Sequence, residues 1–313
     1  MTRMRYRSAC GSPILPWTVV PLIWTFVSCS LKQRAVNTLA EVLGEGQSVY
    51  LADDDPELIA AALPFNIKTI ETLLASSPNH RGLLLAATTS ITLYTYGFVE
   101  PEAQRMEDED FDRAEEVRQR AARLYMRAFH YGVRGLEVAH PGFGDSLPCE
   151  PEHTVSALEE HDVPLAVWTA AALGAAIGVA KDDPEMTADI AVVGALLHRA
   201  VELDEDFEQG TIHELLLSYE AERVGGSKEK ARQHYQRAYE LSQGKHCSLW
   251  LSWAESMSVA EQNRDEFEEL LDRVLSFDVD THPENRLLNL LAQRRARWLR
   301  GRIDELFLEG ETQ

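Results

Sequence analysis

Apolar residues recur at helical spacing along most of the chain, and residues 211–243 show the pattern in its most compact form. An apolar stripe that ends near Tyr219 is interrupted by the glycine pair at 225–226, and a second stripe follows at spacings of four and three. The second stripe consists of Ala231, Tyr235 and Ala238. This order predicts two helices joined by a tight turn.

The small–large–small triplet of the second stripe has counterparts elsewhere in the chain. Ala121, Tyr125 and Ala128 repeat it, Val193, Leu197 and Ala200 do so more loosely, and Phe267, Leu271 and Val274 are an aliphatic version at the same spacing. The last positions of three successive triplets, 200, 238 and 274, are 38 and 36 residues apart, which is close to the tetratricopeptide (TPR) period. The sequence therefore predicts an all-α fold of stacked antiparallel helical hairpins, in degenerate TPR-like repeats. The alternative is an all-helical domain whose amphipathic helices are evenly spaced without being repeats.

Several helix boundaries are also predicted. The acidic run that ends at Asp55-Pro56 predicts a helix start, because acidic residues and proline both suit the first turn, and Pro64 should bend or divide that helix. Asp162 is expected to cap the helix that contains Pro164. The remaining expected helices cover residues 33–43, 83–96, 100–131 (one helix or a pair), 185–203, 208–224, 228–242, 248–261, 264–276 and 284–308.

The N-terminal segment indicates export. Residues 1–28 begin with three arginines and continue with an apolar stretch, as a signal peptide does, and Ser28-Cys29 resembles the end of a bacterial lipobox. Cys29 is thus the predicted lipidation site, and the rival interpretation is an uncleaved anchor helix. We expect a tether with a short helix at 29–52, a TPR-like helical domain at 53–308 and a tail at 309–313. Lipidation would place the protein in the periplasm, held at a membrane by lipid.

Charge and cysteine usage narrow the possible partners. The chain has 30 basic and 51 acidic side chains, a formal charge of −21, and such a surface repels phosphate backbones, so nucleic-acid binding is not expected. With Cys10 lost in the signal and Cys29 acylated, Cys149 and Cys247 remain, and we expect them to be unpaired.

Motifs for catalysis, metals or nucleotides are weak. His213-Glu214 begins like a zinc-binding HExxH motif, but Leu217 replaces the second histidine, and no phosphate-binding glycine loop is present. The tetrapeptide at 144–147 spells GDSL, but Ser146 lies in a helical context rather than at a sheet edge. The apolar run at 163–180 is barely long enough for a membrane span and is expected to be a buried helix. We therefore expect no cofactor, no metal site and no enzymatic activity.

Aromatic residues are the best candidates for a binding site. The tentative ligand-binding residues are Tyr94, Tyr96, Trp168, Trp250 and Trp253, which follow or lie within apolar helices. The alternative for each is core packing. The arginines between 294 and 302 could bind a carboxylate, or pair with acidic residues of the protein itself.

Several blocks, in this order, resemble one family. They are DDDPELIAAALPFNIKTIETLL at 53–74, PNHRGLLLAATTSITLYTYGFVE at 78–100, ARLYMRAFHYGVRGLE at 122–137, HPGF at 140–143, DVPLAVWTAAALGAAIG at 162–178 and ENRLLNLLAQRRARWLRGRIDELF at 284–307. Together they resemble the T component of tripartite ATP-independent periplasmic (TRAP) transporters, the TatT lipoproteins.

The resemblance implies a lipid-anchored periplasmic homotrimer with degenerate TPR hairpins and ligand-accessible cavities. It also implies association with the extracytoplasmic solute-binding protein of a TRAP transporter. We therefore expect a non-enzymatic accessory protein that docks that subunit and holds or passes a small apolar or carboxylate-bearing solute. The alternative is a general TPR-type interaction scaffold without a transport role.

Overall fold

The computed structural model describes residues 48–308, and this part of the chain is helical without any strand. The all-α prediction is confirmed. The longer helices are α1 (Pro56–Ser76), α2 (Arg81–Tyr94), α3 (Glu100–Met106), α4 (Phe111–Glu137), α5 (Val163–Val179), α6 (Ile190–Leu203), α7 (Thr211–Glu222), α8 (Lys228–Ser242), α9 (Ser248–Trp253), α10 (Arg264–Ser276) and α11 (Arg286–Arg300). Cys29, the helix expected at 33–43, the signal peptide and the tail lie outside the described residues.

Short polar side chains set the starts of several helices. Asp55 caps α1 by accepting a hydrogen bond from the Leu58 amide at 2.9 Å, which confirms the predicted start. Asp110, Ser227 and Asn263 act in the same way on α4, α8 and α10. Each cap satisfies an amide that the first helical turn leaves without a partner.

The structure adds detail to two of the expected helices. Helix α1 continues through Pro64 without a division. Asp162 makes no side-chain cap on α5, because its carboxylate accepts from the Glu159 amide at 3.0 Å and lies 2.8 Å from His140 Nε2 and in contact with Arg81. Asp162 does stand at the N-cap position of α5, as predicted, but its buried carboxylate ties the start of α5 to the preceding turns and not to the first helical amides.

The predicted stripes form the core. Ala121, Tyr125 and Ala128 of α4 are fully buried, as are Phe267 and Val274 of α10. Small residues where helices cross and one ring between them allow close packing. The TPR-like nature of the stacking stays a prediction.

Alternate helices form a continuous inner row. Helix α2 contacts α5, α5 contacts α7, α7 contacts α9, and α9 contacts α11. Helices α4, α6, α8 and α10 each pack against helices of this row. The row therefore presents one side of α2, α5, α7, α9 and α11 to the same region.

The two ends of the row meet. Helix α11 contacts α1, and Leu287 and Leu291 share an apolar cluster with Ile59 and Leu63. Gly97, in the turn after α2, lets that turn approach α11 as well, because a Cβ there would lie 2.8 Å from Leu291 Cδ1. The succession of helices consequently closes on itself.

Three helices are long and apolar enough to cross a membrane by length and composition: Pro56–Ser76, Arg81–Met106 and Glu160–Val179. Most of the last two is buried against other helices, and the run that begins at Val163 lies in the core as expected. Helix α1 is different, because about two thirds of its apolar window is not buried.

Candidate functional site

Tyr96 lies on the inner side of the closed row. It belongs to a π-helical turn, Thr95–Val99, and such wide turns are frequent at functional sites. Its side chain is 48% exposed, yet its pKa is raised, first by loss of hydration and then by the carboxylates of Glu255, Glu214 and Glu100. The half-exposed ring therefore lies near three carboxyl groups that come from different helices.

A second π-helical turn, Ala254–Ser258, brings Glu255 to the space beside Tyr96. Arg295 of α11 donates to Glu255 Oε1 from Nε at 2.9 Å and from Nη2 at 2.6 Å. Its Nη1 also donates to Gln104, which is 191 positions away in the sequence. The guanidinium thus joins the ends of the helical row within the site.

Two further carboxyl groups line this space. Glu214 of α7 accepts from Ser252 at 2.8 Å and from Ser248 at 3.2 Å, and burial raises its pKa despite both hydrogen bonds. Glu100 accepts from the Tyr125 hydroxyl at 2.6 Å, and burial raises its pKa in the same way. Raised pKa values mean that these groups take up a proton more readily than a free carboxylate. We call Tyr96, Glu100, Glu214, Glu255 and Arg295 the inner polar cluster.

Trp168 lies on the next part of the inner row. It donates a hydrogen bond to Glu208, whose pKa is raised by burial against that bond. Glu208 and Gln209 have φ of 45° and 56°, in the left-handed region that non-glycine residues rarely adopt. Two such residues in succession store backbone strain, which is typical of positions held for function.

The structure separates the five predicted aromatic residues. Tyr96 and Trp168 reach the inner side of the row. Trp253 is buried with its ring 4.6 Å from that of Tyr235, and Trp250 packs edge to face on Phe277. Tyr94 is partly buried, next to Phe98 and Arg120. A ligand-binding role for the last three stays a prediction, and the contacts that they show are packing contacts.

The carboxylates of the inner polar cluster were not predicted from the sequence. A signal for them is present, because Glu214, Ser218 and Glu222 follow one another at intervals of four on α7. Ser248, Ser252 and Glu255 do the same at intervals of four and three. Polar stripes at helical spacing on otherwise apolar helices indicate a wetted inner face, not a solvated exterior.

Three arginines of α11 (Arg294, Arg295 and Arg300) and Arg302 just after it form ion pairs, one of the two roles that the sequence left open, whereas Arg297 has no ion-pair partner within the described residues. The four paired arginines contact Glu57, Glu255, Asp272 and Asp108. Within residues 48–308, no group of three histidine, cysteine, aspartate or glutamate side chains is placed to hold a metal ion. Ser146 is exposed in the four-residue helix Phe143–Ser146.

Comparison with known proteins gives a family. A protein of Treponema pallidum (strain Nichols), described as uncharacterized, is 29% identical over 302 residues, which cover 90% of this chain and 94% of that protein. Residues 52–307 match the TRAP transporter T-component family, whose members are membrane-associated accessory components of these transporters and are not known as enzymes. The match spans nearly all of the described residues, so the chain belongs to the TRAP transporter T-component family.

Proposed function

We propose that this T-component is a periplasmic lipoprotein, anchored through Cys29, that docks the extracytoplasmic solute-binding subunit and holds or passes a solute along the inner polar cluster. One observation carries the solute-binding part: the half-exposed ring of Tyr96 lies near the side chains of Glu100, Glu214, Glu255 and Arg295, which come from both ends of the row of helices. A space lined in this way favours the partly apolar body of a small organic molecule over bulk water.

The polar groups favour an apolar solute over a carboxylate-bearing one. Arg295 could hold a carboxylate, but its guanidinium is already hydrogen-bonded to Glu255 and Gln104. An incoming carboxylate would also meet the field of Glu100 and Glu214. An apolar solute with a neutral polar end would instead lie against Tyr96 and use the existing hydrogen-bond groups.

Affinity capture of the native protein from membranes in mild detergent tests this proposal. Mass spectrometry should identify both the proteins and the small molecules that co-purify. We expect a TRAP solute-binding protein and an apolar small molecule. Recovery of unrelated periplasmic proteins in its place would favour a general helical-repeat scaffold.

A matched pair of tyrosine variants separates solute binding from docking. Tyr96→Ala should remove the small molecule while the solute-binding protein is still recovered. Tyr239→Ala is the control, because Tyr239 on α8 is equally exposed, at 49%. Retention of the small molecule by Tyr96→Ala would contradict a binding role for the inner polar cluster.

The lipid anchor and the oligomer are tested separately. The N-terminal peptide of the mature protein should begin at Cys29 and carry the mass of a lipid, and Cys29→Ala should abolish that modification. Native mass spectrometry in mild detergent should show three chains, as expected for a homotrimer. An unmodified N-terminus upstream of residue 29 would favour the uncleaved anchor helix.

A further inference from the structure

Helix α4 carries a concentrated positive charge on an acidic protein. The chain has 30 basic and 51 acidic residues, yet residues 117–136 contain five arginines and no aspartate or glutamate. Four of these arginines and one histidine follow one another at spacings of three and four. This spacing places them on one face of the helix. We call this the α4 basic face: Arg120, Arg123, Arg127, His130 and Arg134.

The α4 basic face borders a shallow groove of about 400 Å³. The groove is lined by Arg123, Met126, Arg127, His130, Tyr131 and Arg134. Its walls therefore combine guanidinium groups with a thioether and an aromatic ring. Such a surface suits an anionic group that is attached to an apolar body.

Counter-charges on this face are few. Arg127 pairs with Glu71 of α1, but the same carboxylate also pairs with Lys68 at 2.9 Å. Arg134 donates to the backbone carbonyl of Pro78, and Arg123 has no hydrogen-bond or ion-pair partner within residues 48–308. Four arginines and Lys68 thus face one carboxylate, so the region remains positive.

An exposed apolar strip on α1 adjoins this face. Glu71 of α1 accepts from the Tyr131 hydroxyl at 3.2 Å, which fixes α1 against α4. On the outer side of α1, Leu58 and Phe65 are exposed, Phe65 to 77%. Lys68 follows Phe65 by one turn and continues the positive charge onto α1.

We infer that the α4 basic face and the exposed side of α1 form a membrane-contacting surface that binds the phosphate groups of anionic lipids. The arginines would attract the head groups, while Phe65 and Leu58 would enter the interface beside them. A protein partner with an acidic surface would account for the arginines but not for the exposed apolar strip. The inference rests on the membrane association of the family and not on docking of the solute-binding subunit.

A tryptophan reporter in the full chain tests this contact. The protein is reconstituted into vesicles whose acyl chains carry bromine, which quenches nearby tryptophan, and the emission of the parent chain is subtracted. Phe65→Trp should be quenched in vesicles that contain phosphatidylglycerol and much less in pure phosphatidylcholine. Val224→Trp is the control, because Val224 is fully exposed in the turn after α7, and it should not be quenched in either.

Arginine variants test the charge. In the Phe65→Trp protein, Arg123→Gln should lower the equilibrium constant for binding to anionic vesicles about five-fold. This factor corresponds to about 1 kcal/mol for each basic residue near an anionic surface. Arg123 has no partner to lose within the described residues, so folding should be unaffected. Adding Arg127→Gln should lower the equilibrium about 25-fold. Arg273→Gln is the control, because Arg273 is an exposed arginine paired with Glu269 on α10.

Three outcomes would overturn the inference. They are equal quenching in both lipids, no effect of Arg123→Gln, and a change in oligomeric state in the arginine variants with quenching unchanged. The last would assign the α4 basic face to contacts between protein chains. None of them bears on the Tyr96→Ala experiment, so the two proposals can fail independently.

Discussion

Replacing Gly132 with alanine should force α4 away from α5. An ideal Cβ at this position would lie 2.9 Å from the Cβ of Thr169, and closer still to the Thr169 hydroxyl oxygen. Thr169 is fully buried, and its hydroxyl donates to the Leu165 carbonyl at 2.5 Å. Turning the threonine away from the new methyl group would break that hydrogen bond inside a filled core.

The magnitude follows from opposing effects. Overpacking a filled interior costs about 1–3 kcal/mol, and loss of the threonine hydrogen bond adds about 1 kcal/mol. Alanine returns about 0.5–1 kcal/mol through its higher helix propensity. The net loss in the free energy of unfolding is about 1–3 kcal/mol, which corresponds to a fall in Tm of about 2–6 °C for a domain of this size.

Thermal and urea unfolding of the purified protein, followed by circular dichroism, measure this effect. Gly178→Ala is the matched control, because Gly178 lies in α5 with no atom within 4 Å of the position that a Cβ would take, and it should raise stability by about 0.5–1 kcal/mol. Combining Gly132→Ala with Thr169→Ala should recover part of the loss. Equal Tm values for the Gly132 and Gly178 variants would refute the close approach of α4 and α5.

Three further predictions concern stability and accessibility. Burial and the neighbouring His213 lower the pKa of His234 to about 4, so the unfolded chain takes up a proton below pH 6.5 before the folded one does. His234→Gln should therefore reduce the stability lost between pH 6.5 and 4 by about 1–3 kcal/mol, as measured by urea unfolding at both pH values. Leu291→Ala should cost about 2–4 kcal/mol and speed proteolysis at the α1–α11 contact, because it empties the apolar cluster that closes the row. Iodoacetamide at pH 8 should modify exposed Cys149 and spare Cys247, which is buried with its pKa raised to about 12, and native labelling of Cys247 would contradict its burial.

Local spacing was sufficient to predict the helices. The stripe of Ala121, Tyr125 and Ala128 placed the buried side of α4 correctly, because a residue type every three or four positions fixes one face of a helix. The expectation that Cys149 and Cys247 are unpaired is also confirmed. The side chain of Asp162 does not hydrogen-bond to the first amides of α5, because its carboxylate contacts Arg81 and His140, which are distant in sequence. A rule based on neighbouring residues cannot predict that a carboxylate will bond to such distant partners and not to the helix amides.

The site was predictable only in part for the same reason. The sequence offered Tyr96 as a candidate because it is one of several aromatic residues that follow an apolar helix. Glu255 and Arg295 lie near Tyr96 only because the last helices of the chain pack against the first ones, nearly two hundred residues away in sequence. No spacing within one helix encodes that return, although the polar stripe of Glu214, Ser218 and Glu222 marks one wall of the space.

The distribution of arginines connects the fold to both proposals. On a chain of charge −21, most arginines of the described residues pair with an acidic side chain. In α11, Arg294 and Arg295 help to close the row of helices, because they pair with Glu57 and Glu255. Arg123 has no such partner within the described residues, and it lies outside the closed row on a helix that has excluded acidic residues for twenty positions. One set of arginines holds the inner space together, and the other remains available to an anionic surface outside it.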